Sequence, residues 1–93
     1  MRITRRNLAN HPLIGLKARI LSYPDPTIRG LEGTITGDNR RTLTLDTGNR
    51  EVLILKAHAI LLIEIPGGGW ARVKGELLTG TPPDRAKRIL RGR

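Results

Sequence analysis

The stretch from Gly30 to Leu45, Gly-Leu-Glu-Gly-Thr-Ile-Thr-Gly-Asp-Asn-Arg-Arg-Thr-Leu-Thr-Leu, constrains the fold of this chain more than any other. Leu31, Gly33 and Ile35 alternate with Glu32, Thr34 and Thr36, the period of two that belongs to a half-buried strand. Gly37-Asp38-Asn39 then offers residues that tolerate positive φ, so a reversal is expected there. Thr42 to Leu45 resumes the alternation, which leaves Arg40-Arg41 as a paired cation at the tip of a hairpin. Gly30 and Gly33 are informative as missing side chains. Within a strand, glycine marks a bend, a bulge or a close approach of another backbone. Two of them three residues apart predict a strongly bent strand, of the sort that small closed barrels need.

The flanking sequence supplies further strands. Leu16 to Tyr23 reads as a strand with Leu16, Ala18 and Ile20 inward and Lys17 and Arg19 outward, followed by a rigid Pro24-Asp25-Pro26 loop. After the hairpin, Asp46-Thr47-Gly48-Asn49 is a short Gly-containing turn of the kind that joins antiparallel strands. A fourth strand runs from Arg50 or Glu51 to Leu55, and Lys56-Ala57-His58 interrupts the pattern. Ala59 to Ile65 is apolar on both faces, so it is expected at the most covered position. Pro66-Gly67-Gly68-Gly69 is a loop, and Trp70 to Lys74 is a last strand ended by Gly75. Six short strands with short connections predict an all-β fold, a closed six-stranded antiparallel barrel. Its expected core is Leu16, Ala18, Ile20, Ile35, Leu43, Leu45, Leu61 and Ile63. Crossover helices have no room, which excludes a parallel α/β arrangement.

Charge narrows the function. Seventeen Lys and Arg stand against eight Asp and Glu in 93 residues, a net charge of +9. That excess favours a polyanionic partner, nucleic acid before an acidic membrane surface. Arg dominates, and its planar fork suits phosphate. The cations concentrate at the ends: Arg2, Arg5, Arg6, Lys17 and Arg19 have no acid among them, and Arg85, Lys87, Arg88, Arg91 and Arg93 face only Asp84. The chain is therefore read as a basic N-terminal extension (1–15), a barrel (16–78) and a basic C-terminal helix or tail (79–93). Thr4 is placed to cap a short first helix, and Pro82, Pro83 and Asp84 to open a last one with a thin apolar face of Ala86, Ile89 and Leu90. Both ends are expected to be mobile until a partner covers them. There is no run of 18 apolar residues and no signal-peptide pattern, so a cytoplasmic chain is expected. The absence of cysteine excludes disulfides and thiolate metal sites.

Catalytic groups are sparse. Ser22 is the one serine, and neither His11 nor His58 is placed near it by local sequence, so a nucleophilic triad has no support. Asp38 and Asp46 read as turn residues that bond their own backbone. Gly67-Gly68-Gly69 lacks the Gly-Lys-Ser/Thr ending and the following helix of a phosphate loop. Stacking platforms are nearly missing too, with Tyr23 and Trp70 as the only aromatics. What remains is recognition of phosphate and shape by Arg and Lys, which suits structured RNA.

Several segments together resemble the archaeal ribonuclease P protein component 1 family, related to the eukaryotic 29 kDa ribonuclease P protein. They are Asn7-Leu8, His11-Pro12-Leu13-Ile14-Gly15-Leu16, Gly30-Leu31-Glu32-Gly33-Thr34-Ile35, Asp38-Asn39-Arg40-Arg41-Thr42-Leu43, Lys56, Gly75 and Pro82-Pro83-Asp84-Arg85. Thr81 and Pro83 stand where the family has the first arginine and the acid of its Arg-Pro-Glu-Asp-Arg motif. The resemblance implies an Sm-like/SH3-like barrel that is a non-catalytic subunit of the ribonucleoprotein removing the 5′ leader from precursor tRNA. The RNA would carry the chemistry and require Mg, with no cofactor bound by the protein. It also implies pairing with a zinc-ribbon protein subunit, and indirect contact with precursor tRNA. The expected RNA contacts are Arg2, Arg5, Arg6, Lys17, Arg19, Arg40, Arg41, Lys56, Arg85, Lys87 and Arg88. Two other readings remain: a ribosomal or transcription-associated SH3-like barrel, and a ring-forming Sm-like interaction module.

Overall fold

A computed structural model describes residues 12–80. Six strands form one antiparallel sheet: β1 (Lys17–Ser22), β2 (Glu32–Asp38), β3 (Thr42–Asp46), β4 (Glu51–Leu55), β5 (Ile60–Ile65) and β6 (Gly69–Lys74). A 3-10 turn at Lys56–His58 separates β4 from β5, and a second one, Gly75–Leu78, follows β6. Of the expected end segments, residues 1–11 and 81–93, with Arg2, Arg5, Arg6, Arg85, Lys87 and Arg88, lie outside the described residues.

Alternation decides which way each strand faces. Ala18 and Ile20 of β1, Leu43 and Leu45 of β3, Val52 and Ile54 of β4, and Leu61, Ile63 and Ile65 of β5 all point into one core. Every residue of the expected core is buried there except Leu16, which is half-buried and packed against it. Each fully buried Leu or Ile contributes on the order of 1.5–3 kcal/mol relative to exposure. Leu13, placed by sequence in the N-terminal extension, is fully buried in this core as well. The pairing of β1 with β2 continues back to it, because Gly15 N–H donates to Ile35 C=O at 2.8 Å and Ile35 N–H to Leu16 C=O at 2.9 Å.

The sheet order is β4-β3-β2-β1-β5-β6. Here the structure departs from the expected closed barrel: β4 and β6 are edges, with no ladder between them. Both strands break off into 3-10 turns, and those turns bridge the gap. Gly75 N–H donates to Ala59 C=O at 2.8 Å. The sheet nevertheless curls strongly, since the Tyr23 hydroxyl just beyond β1 accepts Leu55 N–H from edge strand β4 at 3.0 Å. Two register shifts assist the curl, one in β1 between Ile20 and Ser22 and one in β2 between Ile35 and Gly37. An extra residue in one strand bends it and raises its twist. The bend of β2 therefore lies beyond Gly33. Gly33 itself marks a close approach, since a Cβ there would run into the Asp46 carbonyl group, with its carbon at 2.8 Å, and Thr47 Cα at 3.1 Å.

Three further expectations change. The first reversal lies later than expected: β2 runs through Asp38, neither Gly37 nor Asp38 nor Asn39 has positive φ, and the turn is Asn39–Arg41. Gly37 is small because Thr44 crosses it, its Oγ1 2.8 Å from a Cβ built there. And β5, although apolar on both faces, buries only Leu61, Ile63 and Ile65 and keeps Ile60, Leu62 and Glu64 half-buried on the outside, because a single sheet has only one face on the core.

Candidate nucleic-acid interface

A cationic loop is useful for binding only if something holds it in place, and the Asn39–Arg41 tip is held through three successive carbonyls. Asn39 C=O accepts from Lys56 Nζ at 2.6 Å, Arg40 C=O from Gly80 N–H at 2.7 Å, and Arg41 C=O from Lys56 N–H at 2.9 Å. With these carbonyls turned into the protein, the Arg40 and Arg41 side chains stand exposed at the tip. A pinned backbone lowers the ordering cost of each contact that the guanidiniums make.

Lys56 is the residue that organises this corner, and it has to be withdrawn from the expected RNA contacts. Its side chain is fully buried, and its ammonium donates to Asp38 Oδ1 at 2.7 Å and Leu78 C=O at 2.7 Å as well as to Asn39. An ammonium with three acceptors in place and no exposed surface cannot reach a phosphate. Burial of such a charge is tolerated only because it is paired and hydrogen-bonded. Asp38 is likewise not a turn residue: its carboxylate, at 6 % exposure, faces Lys56 from the end of β2, and its Oδ2 accepts Leu13 N–H at 3.4 Å. The pair thus ties the start of the barrel, the hairpin tip and both 3-10 turns together.

The other described contact candidates lie elsewhere. Lys17 and Arg19 are exposed on the outer face of β1, where Lys17 pairs with Thr34. Thr34 is four residues, about 13 Å, from the end of β2 that leads into the tip. The expected contacts therefore divide into two clusters. Arg19 is held loosely by Glu32, 4.0 Å away, with both side chains about half exposed. Such a pair is worth little in solvent.

Sequence reading missed two partners of the β1 cluster. Arg19 lies opposite Leu62, and Leu62 opposite Arg72, so the two arginines flank one leucine in a cross-strand row roughly 10 Å wide. Lys74 sits one step further along the same outer face of β6. The period-two spacing Trp70, Arg72, Lys74 carried the signal for both. Trp70 shares that face and is 37 % exposed, so it is a surface residue.

A groove of about 720 Å³ opens beside the hairpin tip, with Arg40, Arg41, Leu55, Ala57, His58 and Gly80 along it. His58, in the Lys56-Ala57-His58 break between β4 and β5, is exposed and lines it. Among the described residues no group of three or more His, Asp or Glu could hold a metal. Asp25 has its carboxyl below the usual carboxylate range. The main cause is the Thr27 hydroxyl, which donates to it at 2.8 Å, followed by Thr27 N–H at 2.9 Å. That arrangement stabilises a loop. No described helix is long and apolar enough to cross a membrane.

Comparison with known proteins gives one consistent result. The family model described as Ribonuclease P/MRP, subunit p29 matches residues 6–88. Ribonuclease P protein component 1 of Hyperthermus butylicus is 44% identical over 92 residues, covering 98% of this chain and 83% of that protein. The protein of the same description from Desulfurococcus amylolyticus is 42% identical over 92 residues, covering 98% of this chain and all of its own length. Among solved structures, Mth11, described as a homologue of human RNase P protein Rpp29, superposes with a TM-score of 0.59 at 30% identity, covering 81% of this chain and 97% of its own. The chain belongs to the ribonuclease P/MRP subunit p29 family.

Proposed function

We propose that this chain is an RNA-binding subunit of ribonuclease P, supporting removal of the 5′ leader from precursor tRNA. The observation that carries the reading is the pinned Arg40-Arg41 tip, found in a chain of +9 net charge that belongs to this family. Arg40 and Arg41 bind RNA phosphates, and Lys17 and Arg19 with Arg72 and Lys74 form a second phosphate-facing cluster. Arg2, Arg5, Arg6, Arg85, Lys87 and Arg88 extend the contacts along the two basic ends. In this reading the RNA carries the chemistry. The protein tightens RNA and substrate binding and lowers the Mg requirement of the RNA by screening phosphate repulsion. Its protein partner is the zinc-ribbon subunit of the same cytoplasmic particle, and it meets precursor tRNA only indirectly.

Reconstitution tests this. Adding the chain to ribonuclease P RNA and the other subunits should raise precursor-tRNA cleavage at low Mg and matter less at high Mg. Asp25→Asn and Asp46→Asn should leave the single-turnover rate at saturating RNA unchanged. A large loss of that rate from either change, with folding and RNA affinity intact, would mean that the protein supplies a catalytic group.

A further inference from the structure

The groove beside the hairpin tip brings the Arg40-Arg41 cations together with two features that have no role so far, an apolar part and a histidine. Arg40 and Arg41 make the lining cationic, and no carboxylate lines it among the described residues. Leu55 and Ala57 add an apolar part to the lining, and Leu55 keeps 46 % of its surface exposed although it is a large aliphatic residue. His58, next in sequence to Ala57, lines the groove as well and is exposed. The groove's volume, about 720 Å³, falls within the ~300–1,000 Å³ of small-ligand sites. Its walls are fixed by the bonds from Lys56 and Gly80 to the three tip carbonyls, and by Leu55 N–H on the Tyr23 hydroxyl.

Charge selects the occupant. The chain continues from Gly80 at the groove's end with Arg85, Lys87, Arg88, Arg91 and Arg93 against Asp84, a segment of the same sign as the groove. An anion with a flat apolar part is the complement, and a nucleotide is such a molecule. We propose that the groove holds one unpaired nucleotide of an RNA, its phosphate on the Arg40 and Arg41 guanidiniums, its base against Leu55 and Ala57, and an edge of that base open to the His58 ring. A paired base is stacked and has its edge engaged, so only a loop, bulge or end can enter. The inference rests on the reading that the chain binds RNA, and it adds the class of RNA element that this corner recognises.

The test uses the 93-residue chain and two probes of equal phosphate number, a single-stranded octaribonucleotide and a hairpin whose fully paired stem is closed by a non-nucleotide linker, followed by fluorescence anisotropy. Ala57→Leu fills the groove without changing charge and should weaken octamer binding about tenfold while leaving the hairpin within about twofold. His58→Ala opens the groove instead of filling it and should move the octamer in the same direction, which guards against a folding artefact in either variant. Equal losses for both probes, or no loss for either, would overturn the assignment and leave a merely cationic surface. Competition by 5′-AMP that is tighter than the octamer itself would also overturn it, by assigning the groove to a free nucleotide. These results are separable from failure of the broader reading, which would appear as no binding of wild-type protein to ribonuclease P RNA.

Discussion

The β2–β3 and β3–β4 hairpin turns are similar on paper and differ in how they are held. The β3–β4 turn, Thr47–Arg50, closes on itself: Thr47 N–H donates to Arg50 C=O at 3.0 Å, Thr47 Oγ1 to the same oxygen at 3.1 Å, and Gly48 N–H to Asp46 Oδ1 at 2.9 Å. Gly48, at φ 95°, supplies the left-handed residue. The β2–β3 turn has no positive φ and one local backbone bond, Asn39 N–H to Thr42 C=O. Its shape comes from Lys56 and Gly80, far away in sequence. Both turns carry arginine, but only one presents it on a backbone anchored to the rest of the fold. The lesson is that where a cation sits in the chain says less about binding than what holds its backbone.

The largest test of that contrast is Lys56→Met. Removing one partner leaves the Asp38 carboxylate buried, and the cost should be about 3–5 kcal/mol in a denaturant titration. Replacing both, as Lys56→Met with Asp38→Leu, should recover much of it, because an apolar pair of similar volume leaves no uncompensated charge. If the double variant is as unstable as the single one, the Asp38 charge is not the source of the loss.

A glycine underlies each turn region, and the pair sharpens the comparison. In Gly75→Ala a Cβ would meet the Lys56 carbonyl group and Ala59 O, the latter at 3.0 Å, while in Gly33→Val the side chain would press on Asp46 and Thr47. Each should cost roughly 1–3 kcal/mol by overpacking against backbone. Only Gly75→Ala should also weaken RNA binding, since it displaces the anchor of the tip. Equal affinity of both variants for RNA would break the proposed link between Lys56 and the arginines.

Local changes in the β3–β4 turn should be milder. Asp46→Ala removes one exposed hydrogen bond to Gly48 N–H and should cost about 0.5–1.5 kcal/mol by thermal melting. The smallest effect is expected for Thr27→Val. Its loss should be confined to pH values above the ordinary Asp range, because a lowered carboxyl pKa contributes stability only where the unfolded chain is also ionised. That contribution disappears as pH falls through the folded value. Melting curves at neutral pH and near pH 2 compare the two regimes.

This difference between the turns also explains what could be read from sequence. The β3–β4 turn was legible because its determinants, Asp46, Thr47 and Gly48, are adjacent. The strands were legible because alternation reports burial directly, and Ala18, Ile20, Leu43 and Leu45 lie where the pattern puts them. The β2–β3 turn was misplaced because Gly37 and Asp38 have the composition of a turn. One of them is small for the sake of Thr44, and the other is charged for the sake of Lys56. Lys56 itself looked like a surface cation between two strands, since nothing near it in sequence shows that Leu78 and Asn39 supply its acceptors. The open β4 and β6 edges were hidden for the same reason: strand count and spacing do not reveal that two 3-10 turns take the place of a last ladder. Arg72 and Lys74 could have been placed on the outer face from their spacing alone.

The most direct measurement is the salt dependence of affinity for ribonuclease P RNA in three proteins: wild type, Arg40→Ala with Arg41→Ala, and Arg50→Ala. Each phosphate contact adds about 0.7–0.9 to the slope of log affinity against log salt. The tip double variant should keep its melting temperature and flatten the slope by up to about two units, one for each lost contact. Arg50→Ala, on the self-contained turn, should leave the slope unchanged. A slope that is unaltered in the tip variant, or flattened as much by Arg50→Ala, would contradict the claim that the anchored hairpin is where this protein meets RNA.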